Sequence, residues 1–206
     1  MSPDIATDQK TALITGASSG IGEAIARRFA AEGYRVLSAQ RRPAPVGESL
    51  SADLLQPGAA QAVMTQVRAL TDRLDVVVNN AGLMLEGTAE ESSEADWQAQ
   101  MDLKLSLPFL LIREALPLLR QNGGGAIVNI GSVEGLAANP RHPAYAASKA
   151  GLHGLTRAIA VDEGPLGVRC NAVAPGWIDT PLNLDFIDSL TGDTAAFHAG
   201  LKDIHP

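Results

Sequence analysis

The sequence predicts an α/β domain: a doubly wound parallel sheet with helices on both faces. Three observations predict it. Short apolar runs rich in β-branched residues alternate with longer helical stretches over the 206 residues, the order expected of crossover units between parallel strands. Runs such as "DVVVN" (75–79) are nearly continuously apolar, which suits strands buried on both sides. No repeat, low-complexity tract or interdomain linker divides the chain, so residues 1–206 read as one domain.

The elements follow in order. "TALIT" (11–15) is the first strand and 21–32 the first helix, with Gly33 where a helix stop belongs. "RVLSA" (35–39) is the second strand, and "RRPAPVGE" (41–48), with two prolines, is a loop. A weaker strand lies near "SLSAD" (49–53), before a helix over 58–72 and the strand "DVVVN". A long helix spans 95–121, where Pro108 and Pro117 should bend or locally break it, and Gly123-Gly124-Gly125 ends it. "AIVNI" (126–130), a helix over 144–163 and "VRCNAVA" (168–174) complete the set.

Composition narrows the function. Hydrophobic residues make up 46% and charged residues 19%, which is globular material. The net charge of -7 gives no electrostatic reason to hold a nucleic acid or an anionic membrane. The pair Arg41-Arg42 is the local exception. Cys170 is the sole cysteine, so no internal disulfide forms, and a reducing compartment is expected. "MSPDIATDQK" lacks the apolar region of a secretory signal, and no run approaches a membrane span. A cytoplasmic protein is expected. One cysteine and four scattered histidines suggest no metal site.

"TGASSGIG" (15–22) stands between the first strand and the first helix. Beyond the carboxyl end of a strand in such a sheet, free backbone N–H groups and the positive end of a helix suit a pyrophosphate. Gly16 allows the tight turn, Gly20 lets backbone approach the phosphates, and Gly22 lets the helix pack close to the strand. Ser18, Ser19 and Ile21 complete the turn. Alone, the stretch also reads as an ordinary glycine-rich turn.

Four further motifs stand at the ends of the right elements. "NNAG" (79–82) follows the fourth strand, "NIGS" ends at Ser132, "YAASK" spans 145–149, and "PGWIDT" (175–180) follows the sixth strand. Together they resemble the short-chain dehydrogenase/reductase family, specifically its small oxidoreductases such as 3-oxoacyl reductases and related alcohol or sugar dehydrogenases. The resemblance runs from about residue 10 to the end. A Y-x-x-x-K pair by itself is ordinary helical spacing; the ordered set carries the likeness. It implies a Rossmann-type, three-layer αβα fold.

Tyr145 and Lys149 are four residues apart and share a helix face. A free tyrosine ionises near pH ~10, and a nearby ammonium lowers that value. Tyr145 could then exchange a proton with a substrate oxygen while hydride moves to or from the cofactor. The resemblance implies that Lys149 also holds the nicotinamide ribose and that Ser132 donates to the carbonyl oxygen as charge develops there. The plainer alternative for Ser132 is a cap on the turn after a strand. Asn80, Ala81 and Gly82 would line the ribose side, and Asn79 would tie its strand to a neighbour. Pro175, Gly176, Ile178 and Thr180 match the segment that orients the nicotinamide. Asp53 and Leu54 match the adenine-contacting pair.

The second strand ends in "SAQRR". An acid here selects NAD, whereas an arginine nearby accommodates a 2′-phosphate. Gln40 holds the acid's place and Arg41 follows, so NADP(H) is expected, with NAD the alternative if Arg41 is only a solvated loop residue. Substrate walls should come from Leu83, Met84, residues 133–142 and Trp177 onward. A small or medium alcohol or ketone fits, as does a 3-oxoacyl thioester; His142 reads as a loop histidine.

One position departs from the family pattern. Members commonly place an asparagine seven residues after a tryptophan in the long helix, where it holds a water in a proton path. Counting from Trp97 gives Lys104. A second ammonium near Lys149 would be repelled unless it points away, reaches solvent along its stem, or rests on Asp102 or Glu134. Either the substitution is harmless or it alters catalysis.

Relatives usually continue into another helix and a seventh strand, whereas this sequence stops at "DIHP". A truncated C-terminus and a sheet lacking that strand are therefore expected. A homodimer or homotetramer would pair helices 95–121 and 144–163, where Ala147, Ala150, Gly151 and Gly154 permit close approach. The expected function is hydride transfer between NADP(H) and a carbonyl or secondary alcohol. The alternative is a non-catalytic NAD(P)-binding sensor or structural subunit, impaired by Lys104 or the short C-terminus.

Overall fold

The computed structural model describes residues 9–181, 183, 184 and 199. The elements in chain order are β1 (Thr11–Thr15), α1 (Gly20–Ala31), β2 (Arg35–Gln40), β3 (Glu48–Ser51), α2 (Ala59–Leu70), β4 (Val76–Asn79), α3 (Glu94–Met101), α4 (Leu107–Gln121), β5 (Gly125–Ile130), α5 (Pro143–Glu163) and β6 (Val168–Val173). The strands form one parallel sheet in the order β3-β2-β1-β4-β5-β6. The order reverses between β1 and β4, and a crevice opens there beyond the carboxyl ends of the strands.

Strand periodicity sorts the side chains between two cores. Ala12, Ile14, Val36, Val76 and Val78 point to one face, where Ala26, Ile21, Ile25 and Phe29 of α1 cover them. Leu13, Leu37, Val77 and Ile127 point to the other, against α2, α4 and the α5 residues Leu155 and Ile159. The fold is the expected three-layer α/β arrangement. Strand and helix limits depart from the sequence expectation by a residue or two. The weak strand is β3, at the sheet edge, where only Leu50 is buried.

α1 ends as its glycine predicts. Gly33 N donates to Ala30 O and Tyr34 N to Phe29 O, and the Phe29 and Tyr34 rings meet edge to face at 5.0 Å.

The helix expected over 95–121 is two helices joined by a π-turn, Asp102–Ser106. Pro108 explains the break. It has no N–H to offer the Lys104 carbonyl four residues back, and Leu107 N–H bonds instead to Asp102 O, five residues back. Pro117, the other expected breaker, stays inside α4, where it forfeits one ladder bond without interrupting the helix.

Among the described residues the sheet has six strands, and Arg169, Asn171 and Val173 of β6 are exposed. The seventh-strand expectation concerns residues beyond 184, and the signal-peptide expectation residues 1–8; both lie outside the described residues. No described helix is long and apolar enough to cross a membrane.

Candidate active site

A cleft of about 790 Å³ runs along the carboxyl ends of β1, β4 and β5. Every cofactor-binding and catalytic residue expected from the sequence lines it, from Gly16, Ser18, Ser19, Gly20, Ile21 and Gly22 through Arg41, Asp53, Leu54, Asn80, Ala81 and Gly82 to Ser132, Tyr145, Lys149, Pro175, Gly176, Ile178 and Thr180. Of the expected substrate walls, Leu83 and Met84 line it, whereas residues 133–142 and Trp177 do not.

Backbone builds one end. Gly16 has φ 73°, and its N–H bonds to Ala39 O at 3.1 Å. A Cβ on Gly16 would lie 2.9 Å from Ala81 Cα, and one on Gly22 only 2.2 Å from Gly16 O. The turn therefore closes onto the end of β4, as the third glycine's predicted packing role requires. Asn80 has a task that the sequence reading missed. Its Nδ2 donates to Thr15 O and Gly16 O at 3.0 and 3.1 Å, pinning the glycine turn. Thr15 Oγ1 accepts from Asn80 N and Ala81 N. Asn79 ties strands as expected, donating to Asn129 Oδ1 at 2.8 Å. Ser19 at the N-cap of α1 makes no capping bond, which leaves the first-turn N–H groups available to an anion.

At the end of β2, Gln40 is buried and its Oε1 accepts from Ala17 N at 3.2 Å. Its Nε2 is buried without a hydrogen-bond partner among the described residues. An orphaned buried donor in a nucleotide-sized cleft is costly unless a ligand acceptor meets it. Arg41 is exposed beside it. This donor set fits an anionic 2′-substituent. Asp53 is exposed and turned to its own loop, accepting from Leu55 N.

Side chains build the other end. Ser132 lies two residues past β5 and caps the short turn Val133–Gly135, accepting from Glu134 N at 3.1 Å. It faces the same cleft as Tyr145, where its hydroxyl acts to lower the phenol's pKa. Lys149 is buried, and its Nζ donates to Ile130 O at 2.6 Å. Burial pulls its pKa down to about 8. Lys149 Nζ stands 5.6 Å from the Tyr145 ring centroid. The expectation of a lowered tyrosine pKa is not met by the protein alone. Burial raises the Tyr145 pKa, the Glu134 charge adds to that, and only the Ser132 hydroxyl opposes.

Lys104 takes none of the routes expected of it. It is 2% exposed, and Asp102 is engaged by Gln98 instead. Its Nζ donates to Gln100 Oε1 at 2.5 Å and sits 4.3 Å from the Tyr145 ring centroid. Burial first, and then the Lys149 charge, pull its pKa down to about 7, with Glu134 opposing.

His142 is not the plain loop residue expected. It is buried at the start of α5, with Nδ1 2.9 Å from Glu134 Oε2 and Nε2 2.9 Å from Glu86 Oε1. Its ring centroid lies 5.9 Å from that of Tyr145. Glu86 is far away in sequence, so no local pattern could reveal the clamp. Among the described residues no cluster of histidine, cysteine and acids could hold a metal ion.

Comparison with known proteins identifies the family. Residues 10–189 match the family model described as short chain dehydrogenase. A 3beta-hydroxysteroid dehydrogenase of Mediterraneibacter gnavus is 41% identical over 189 residues, spanning 85% of this chain and 68% of that protein. The ligand-free aldohexose dehydrogenase of Thermoplasma acidophilum is 33% identical with a TM-score of 0.86, covering 92% of this chain and 75% of its own. The structure of ElxO with NADP bound is 30% identical with a TM-score of 0.81, covering 88% of this chain and 79% of its own. The chain belongs to the short-chain dehydrogenase family, NAD(P)-dependent oxidoreductases acting on CH–OH groups.

Proposed function

We propose that this protein moves hydride between NADP(H) and a carbonyl or secondary alcohol, with Tyr145 as the proton donor and acceptor. One observation carries the reading: a single cleft joins the glycine turn and Gln40–Arg41 to the Ser132–Tyr145–Lys149 group. NADPH, when bound, supplies the hydride. The N–H groups at the start of α1 hold its pyrophosphate. Gln40 Nε2 and the Arg41 guanidinium receive the 2′-phosphate, with Asp53 and Leu54 toward the adenine. Asn80 to Gly82 and the segment Pro175, Gly176, Ile178 and Thr180 flank the nicotinamide side. Lys149 exchanges its bond to Ile130 O for the ribose. Ser132 donates to the substrate oxygen, and Tyr145 passes its proton to that oxygen during reduction.

The substrate enters past Leu83 and Met84, beside the Glu134–His142–Glu86 clamp. Apolar walls with a charged patch suit a medium-sized ketone or alcohol carrying polar groups. The relatives' names, a hydroxysteroid and an aldohexose dehydrogenase, fit that class. A homodimer or homotetramer through α4 and α5 agrees with the exposed Phe109 and Val161 on those helices; sedimentation in solution checks it.

A panel of ketones, aldehydes and secondary alcohols, assayed with both nicotinamides by absorbance, tests the proposal. Substrate-dependent turnover is expected, with a KM for NADPH about tenfold or more below that for NADH. A lower KM for NADH would overturn the cofactor assignment. Nucleotide binding with no turnover across the panel would overturn the catalytic one.

A further inference from the structure

The π-turn between α3 and α4 carries Lys104 to the reactive end of the cleft. A long, flexible amine is there fixed in place. Gln100, one helical turn earlier, accepts from Nζ, and its own Nε2 is anchored on Leu85 O at 2.9 Å. The acceptor is a neutral amide, so it fixes the ammonium without cancelling its charge. The Nζ is 4.3 Å from the Tyr145 ring centroid, closer than that of Lys149 at 5.6 Å.

We propose that Lys104 is a positioning residue for proton transfer: its ammonium, held over the Tyr145 ring by Gln100, stabilises the phenolate formed as Tyr145 protonates the substrate. The inference rests on the reading of Tyr145 as the acid. In reduction the Tyr145 O–H bond breaks and its electron pair stays on the phenol oxygen. The proton joins the substrate oxygen, which receives the C=O π pair as hydride from the reduced nicotinamide bonds to carbon. Negative charge then spreads into the ring. The cation above it, attracted beforehand only by the ring quadrupole, comes to face an ion. An interaction that strengthens as the reaction proceeds accelerates it.

The groups acting on Lys104 set its pH range. Lys149 on α5 repels it, Glu134 after β5 attracts it, and Tyr145 and Gln100 are neutral at rest. With burial and the Lys149 charge bringing it to about 7, the cation is present below that value and lost above. Reduction should therefore slow as pH rises through neutrality.

Replacing Lys104 with methionine tests this. At about pH 6, where Lys104 is charged, the K104M kcat should fall about tenfold with KM little changed. At about pH 8.5 the two proteins should converge. Lys104→Arg, whose guanidinium stays charged, should carry the acidic-side rate past neutrality. An unchanged K104M rate, or the same K104M-to-wild-type ratio at both pH values, would overturn the proposal, the latter marking a merely structural role.

A second readout needs neither turnover nor the methionine variant. The chain has four lysines, so the carbon-13 resonances beside their amines are simple to follow with pH in the cofactor-free protein. One, absent from K104R, should titrate near 7; an ordinary lysine value there would also overturn the proposal. NADPH binding, followed by nucleotide fluorescence, should be unaffected in both variants. Failure of the wild type to bind NADPH would instead overturn the proposed function.

Discussion

The glycine turn and the Tyr145 chamber lie at opposite ends of one cleft and are made of different material. At the turn, backbone does the holding: Gly16 and Gly22 are packed against Ala81 and Gly16 O, and Asn80 fastens the loop. At the chamber, two buried ammoniums lie near one half-buried phenol, and an acid-clamped histidine stands beside it. At Gly16 and Gly22 the first arrangement leaves no room for a Cβ. The second is governed by charge and protonation. The contrast separates binding from reactivity, and each end can be broken without the other.

The largest effect is expected at the turn. Gly22→Ala puts a methyl 2.2 Å from Gly16 O and 2.4 Å from Asn80 Nδ2. The turn and its anchor must move, so NADPH affinity should fall about 100-fold, roughly 2.7 kcal/mol. Titration of nucleotide fluorescence checks it; affinity within twofold of wild type would break the backbone account.

Arg41→Ala sharpens the same comparison at the cleft's rim. The KM for NADPH should rise about tenfold while that for NADH stays put, because only the former has a 2′-phosphate to lose. Equal changes in both would assign Arg41 to the loop rather than the ligand.

The smallest effect belongs to the clamp. Hydrogen bonding to Glu134 foremost, and to Glu86, raises the His142 pKa above 6.5 against the effect of burial. A raised folded-state value means that its contribution to stability is fully present below the unfolded pKa and lost as pH rises through the folded one. Neutral His142 can donate to only one of the two carboxylates. His142→Asn should therefore cost about 1 kcal/mol or less at pH ~6 and still less at pH ~9. Thermal melting at the two values measures it, and a larger cost on the alkaline side would contradict the clamp.

The same contrast explains what could be read from sequence. Glycine spacing, strand periodicity and motif order reveal backbone sites because those depend on local geometry, and the sheet and the cleft's lining followed from them. Helix limits blurred by a residue or two because end residues bond only partly. The π-turn was half legible: Pro108 announced a break, but the five-residue bond from Leu107 to Asp102 depends on how the ladder recovers. Electrostatics at the chamber was not legible. The Lys104 partner is Gln100, not the acids one would pick by charge, and Gln40 and Asn80 hold the turn through bonds of long sequence separation. The Glu86 half of the clamp lies 56 residues from His142.

The division between binding and reactivity is tested most directly by Tyr145→Phe, which removes one oxygen and leaves the turn untouched. NADPH should bind it within about threefold of wild type, while single-turnover carbonyl reduction should fall by a factor of about 1,000 or more. Reduction at the wild-type rate, or loss of nucleotide binding together with activity, would contradict the account.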